Sequence, residues 1–97
     1  MEYQEEWSER AKKDLSRMTG QILEKWSEKQ ALAFIEKIHS AVGFLLKNPK
    51  MGKVSEERPN VRKLVISKQT SLVYRIKPKK IIRIVTLLDN RGGNQKY

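Results

Sequence analysis

The sequence predicts an α+β domain in which an N-terminal antiparallel helical hairpin packs on an antiparallel β-sheet, and three observations predict it. Apolar residues recur at three- and four-residue steps up to Pro49 and at two-residue steps from Val61 onward, so the hydrophobic period switches once from helix to strand. Short turn-like segments separate the strand-like runs, which forces neighbouring strands to pair. A chain of 97 residues, 38% of them hydrophobic, has room for one domain, residues 1–97, around one core.

The first helix starts near Ser8, whose hydroxyl suits an N-cap, and its apolar stripe is Ala11, Leu15, Met18, Ile22, Leu23 and Trp26, with Gly20 a weak point. Ser27-Glu28-Lys29-Gln30 has the form of a capping box and opens a second helix. Its stripe is Ala31, Phe34, Ile35, Ile38, Ala41, Val42, Leu45 and Leu46, and Asn48-Pro49 ends it because the residue before proline disfavours the α region. Lys50 to Asn60 holds Gly52, Pro59 and mixed charge and reads as an exposed connection. Val61 to Ile66, Ser71 to Lys77 and Ile81 to Leu88 then form a three-strand meander. Alternation places Leu64, Ile66, Leu72, Tyr74, Ile76, Ile82, Ile84 and Leu88 toward the helices, and Lys63, Arg75, Lys77 and Arg83 beside Val65, Val73, Val85 and Leu87 on the other face. Met1 to Glu6 is compatible with one more short strand, although its propensity is poor.

Charge is distributed unevenly. Residues 47–97 carry 14 Lys/Arg against three acids, whereas residues 1–46 carry seven against eight, so the net +10 lives in the strand half. A basic sheet of this kind suits RNA, DNA or an acidic protein partner. Lysines on a sheet also guard against edge-to-edge association, but aliphatics interleaved with cations suit a docked strand or helix with acidic flanks. Cysteine is absent, which excludes disulfides and thiol chemistry and fits a reducing compartment. No metal-ligand cluster stands out and no cofactor is expected. The acidic start lacks the pattern of a secretory signal and no window is apolar enough to span a membrane, so a cytoplasmic protein without a membrane partner is expected.

The order helix, helix, Pro-x-x-Gly connection and basic meander resembles the RelE/ParE superfamily of bacterial toxins over nearly the whole chain. The resemblance is carried by Trp7-Ser8-Glu9-Arg10-Ala11-Lys12-Lys13-Asp14-Leu15, Asn48-Pro49-Lys50-Met51-Gly52 and Val61-Arg62-Lys63-Leu64, then by Leu72-Val73-Tyr74-Arg75-Ile76, Ile82-Arg83-Ile84-Val85 and Asp89-Asn90-Arg91. It implies the toxin of a type II toxin–antitoxin module, held inactive by a cognate antitoxin. RelE-like members cut mRNA on the ribosome and ParE-like members act on DNA gyrase, and both use this fold. Ribosome-dependent, metal-independent mRNA cleavage is the first expectation. A gyrase inhibitor, or an attenuated toxin that only binds its antitoxin, is the alternative.

A nuclease of this kind needs a base for the 2′-hydroxyl, cations for the phosphate and an acid for the leaving oxygen. Carried over from the resemblance, Arg62 and Arg91 would clamp the phosphate and Tyr97 would stack on the base or assist proton transfer. Lys63, Lys68, Arg75, Arg83 and Lys96 would bind the nucleic acid. Arg91 has an equally good reading as a turn residue paired with Asp89. The pattern departs from the RNA-cutting type at Ser71, where an arginine is expected, and at Leu64, where a lysine is expected. His39 reads as a surface residue of the second helix, and Trp7 and Trp26 read as lids on the core.

Overall fold

The computed structural model describes residues 2–90. In chain order its elements are β1 (Gln4–Trp7), α1 (Glu9–Lys25), α2 (Glu28–Lys47), β2 (Lys53–Val54), β3 (Arg62–Val65), β4 (Thr70–Lys77) and β5 (Ile81–Asp89). The strands form one five-stranded sheet in the order β1-β5-β4-β3-β2, with the helical hairpin on one face. None of the described helices is long and apolar enough to cross a membrane.

Both helices begin where their caps predict. Ser8 Oγ accepts from Ala11 N–H at 2.9 Å and Ser27 Oγ accepts from Gln30 N–H at 3.2 Å, each satisfying a backbone donor that the helix leaves unpaired. Ala11 and Met18 of α1 and Ile38, Val42 and Leu45 of α2 are buried against Leu72, Tyr74, Ile82, Ile84 and Leu87 of the sheet. Leu23 and Trp26 do not join them. Trp26 is the C-cap of α1, past the last turn that faces the sheet, and is 68% exposed. It is not a lid; Trp7, half-buried against the core, is.

The sheet differs from the expected antiparallel meander at both edges. β2 to β5 are antiparallel, but β1 pairs parallel with β5 and makes the sheet mixed. Tertiary contacts override the weak propensity of β1: Tyr3 and Trp7 pack on the core, while Glu6 pairs with Lys77 at 3.0 Å and Arg83 at 3.1 Å. Lys53–Val54, inside the segment expected to be an exposed connection, adds a two-residue strand to β3.

A bulge in β5 alters the expected faces. Val73 pairs with Thr86 but the next residue, Tyr74, pairs with Ile84, so the β5 strand holds one extra residue there. Beyond the bulge the alternation is reversed, which puts Leu87 in the helix-facing core and Leu88 in a second cluster with Val61 and Val73 on the opposite face. The two leucines thus exchange the sides that strict alternation assigns them.

Candidate functional site

The segment from Pro49 to Gly52 is held against the sheet by two side chains. Tyr74, fully buried on β4, donates its hydroxyl hydrogen to Pro49 O at 2.6 Å and accepts from Gly52 N–H at 2.8 Å. A Cβ at Gly52 would lie 2.7 Å from Tyr74 Cε1 and 3.1 Å from Lys63 O, so this approach is open only to glycine. Arg62, opposite Tyr74 on β3, donates through Nη1 to Gly52 O at 2.8 Å and more weakly to Lys50 O at 3.4 Å. Burial raises the phenol pKa of Tyr74, opposed by the Gly52 hydrogen bond and the Arg62 charge, so the hydroxyl stays protonated and able to donate.

Arg62 therefore lies on the helix side of the sheet, with its guanidinium engaged by carbonyl oxygens. Lys63, the next residue, points to the other face with Arg75, Lys77 and Arg83. Arg75 and Arg83 sit directly opposite each other, and Glu6 in the neighbouring register position offsets the repulsion. Its carboxyl pKa is lowered, first by the hydrogen bond from Lys77 and then by the charges of Lys77 and Arg83. The structure thus brings Lys63, Arg75 and Arg83 onto one face and separates Arg62 from them by the thickness of the sheet.

Lys68 is exposed in the turn between β3 and β4. Its carbonyl accepts from Asn90 Nδ2 at 3.4 Å, Gln69 O accepts from Asn90 N–H at 2.7 Å, and Ser71 Oγ donates to Asn90 Oδ1 at 3.1 Å. Ser71 is buried and Leu64 packs against the helix-facing core, so the two positions of departure serve structure. Arg91, Lys96 and Tyr97 lie outside the described residues. His39 is exposed on α2.

Asp14 was not among the expected site residues. It is buried on α1 between Ala11 and Met18, accepts from the Thr86 hydroxyl and from Leu87 N–H at 3.2 Å, and pairs with Arg17 at 3.2 Å. Ser8 Oγ donates to Val85 O at 2.7 Å on the same bulge. These bonds satisfy backbone groups that the bulge removes from the strand ladder. The available signal was a carboxylate placed on an apolar helical stripe, which has to meet a donor if it is buried.

Solved structures with this arrangement are bacterial toxins in complex with antitoxins. The chromosomal ParDE system of Pseudomonas aeruginosa is 26% identical, with 90% of this chain and 95% of that chain covered at a TM-score of 0.76. The RelBE2 toxin–antitoxin complex of Mycobacterium tuberculosis, at 21% identity, covers 92% and 99% with a TM-score of 0.63. The Escherichia coli DinJ–YafQ complex, at 13% identity, covers 98% and 100% with a TM-score of 0.63. The last two speak to fold alone. No curated protein sequence matches the chain. The fold and its basic sheet define a toxin of the RelE/ParE superfamily. Within that class, a model described as the ParE toxin of the type II toxin–antitoxin system parDE matches residues 6–92, and the chain belongs to this family.

Proposed function

We propose that this toxin arrests growth by binding DNA gyrase in the cytoplasm, and that a cognate antitoxin neutralises it. The observation that carries this reading is the ParE family match across residues 6–92. The chemistry of the described surface supports it. Phosphate cleavage without metal needs several cations converging on one oxyanion. Here Arg62 is turned to the carbonyls of Gly52 and Lys50, Leu64 is packed in the core, and Ser71 is bonded to Asn90. A binding protein needs none of that convergence, and a basic face with interleaved aliphatics suits it.

The test combines two assays. Purified toxin added to gyrase and relaxed plasmid is expected to block supercoiling and accumulate cleaved DNA, and induced cells are expected to show DNA-damage signalling with intact transcripts. Codon-phased cuts in transcripts mapped by primer extension, with supercoiling unaffected, would overturn the proposal in favour of ribosome-dependent mRNA cleavage.

A further inference from the structure

The outer face of the sheet, turned away from the helices, carries more positive charge than its own acids balance. Register places Lys53 of β2 directly opposite Lys63 of β3, and Arg75 of β4 directly opposite Arg83 of β5. Alternation adds Lys77, two residues along β4 from Arg75, to the same face. The carboxylate that meets them is Glu6, shared by Lys77 at 3.0 Å and Arg83 at 3.1 Å. Lys53, Lys63 and Arg75 have no ion-pair partner among the described residues. Like charges opposite each other across a ladder destabilise it, and this face holds two such pairs. The hairpin joining β4 to β5 continues the pattern. Lys79 and Lys80 are exposed there at φ 65° and 56°, in the left-handed region that Gly or Asn occupies at lower cost. Charge is thus kept on this side of the molecule at both electrostatic and backbone cost.

We propose that this face grips the phosphate backbone of duplex DNA, so that the toxin engages gyrase together with the DNA the enzyme holds. The inference deepens the gyrase reading and rests on it for where the DNA is met. Three observations commit it to that occupant. First, the apolar side chains of the face are largely covered. Val61, Val73 and Leu88 are buried in their own cluster with Val85 packed on it, which leaves Val65, 63% exposed, as the open aliphatic. A protein interface has an apolar centre and is depleted in lysine, whereas phosphate contacts use Lys and Arg and need no such centre. Second, a duplex supplies the charge density that relieves both like-charge pairs at once, with release of its own counterions as the gain. Third, the spacing fits. The centres of the Lys53/Lys63 and Arg75/Arg83 pairs lie two strand intervals across and two residues along, about 12 Å apart. That is about the width of the B-form major groove, so each pair meets one of its two phosphate walls, whereas the major groove of A-form RNA is narrow.

The experiment follows the fluorescence anisotropy of a labelled duplex of about 20 base pairs, titrated with full-length toxin between about 50 and about 200 mM NaCl. Lys63→Gln/Arg75→Gln is expected to weaken binding roughly tenfold and to lower the slope of log affinity against log salt by about two, one for each lost phosphate contact. Lys47→Gln/Lys50→Gln removes the same charge from the end of α2 and the segment after it, and is expected to stay within about twofold. Equal loss in the two double variants, or a wild type that does not bind the duplex, overturns the proposal. So does tighter binding to single-stranded RNA of the same length. Loss of affinity for DNA-free gyrase in Lys63→Gln/Arg75→Gln would assign the face to protein and overturn it as well. Thermal melts control for folding. If that variant does not fold, Lys53→Gln decides, with an expected loss of roughly threefold and a slope lower by about one; an unchanged slope overturns the proposal. Duplex binding is read without gyrase, so a toxin that binds DNA through this face and leaves supercoiling untouched upholds the contact and sinks the target reading alone.

Discussion

Gly52 and Gly20 are both glycines in a small domain, and the structure gives them opposite energetic roles. At Gly52 an added methyl meets the edge of the Tyr74 ring at 2.7 Å, and that ring is fully buried with its hydroxyl bonded to Pro49 O and Gly52 N–H. Relief requires breaking those bonds or moving the core. Gly52→Ala should therefore cost about 2–3 kcal/mol, from overpacking and unmade buried hydrogen bonds. At Gly20, on the exposed side of α1, nothing lies within 4 Å of the added carbon. Gly20→Ala should gain about 0.5–1 kcal/mol from helix propensity. Urea denaturation of the two variants checks both, and midpoints that shift the same way would refute the close-approach argument. The sequence marked Gly52 as part of a Pro-x-x-Gly connection and Tyr74 as a core residue. Their contact was not legible, because its partners are separated by 22 residues and carry no local signature.

At the scale of elements, β1 shows what holds a strand of poor propensity in a sheet. Glu6 has a lowered pKa, so its ionised form stabilises the folded chain above the ordinary carboxyl value of 4.5, and that contribution fades as pH falls through the lowered value. Protonation there also leaves Lys77, Arg83 and Arg75 without their offsetting charge. The melting temperature of the wild type should accordingly fall more steeply on acidification below about pH 4.5 than that of Glu6→Gln, which lacks this titration. Parallel profiles would show that the pairs contribute nothing to stability. The helices and the antiparallel strands were legible because periodicity and caps act locally, as Ser8 and Ser27 show. Two features depend on distant partners and were not. β1 is held by the ladder of β5 and by the cations Lys77 and Arg83 on β4 and β5, and the Oδ2 of Asp14 is met by Thr86, 72 residues away. Of the candidate site, the basic sheet face was visible as alternation, whereas the side assigned to Arg62 depended on which strand faces its guanidinium meets.

The whole molecule carries a net +10 on a small surface, and two electrostatic effects compete when salt is added. Screening weakens the exposed and partly exposed pairs of Glu6, Lys12 and Arg17, which are weak in water to begin with. It also relieves repulsion among the surplus cations, which are more numerous than the pairs. Relief should win, and the melting temperature should rise by a few degrees between about 20 and about 200 mM NaCl, where the screening length falls to about 7–8 Å. A fall over that range, followed by calorimetry, would show that the pairs outweigh the repulsion. The same surplus makes association with an acidic partner doubly favourable, since docking brings in opposite charge and removes self-repulsion.

The extra residue at Val85 acts on the sheet as a phase inversion. Were Val85 paired in the ladder instead of bulged, one continuous alternation through β5 would turn Leu87 to the opposite face and Leu88 toward the helices, and strand the Asp14 carboxylate without the backbone donor it now meets. One residue thus keeps two oppositely facing apolar clusters on a single strand, and relatives of this chain are best aligned with a break in parity at that position.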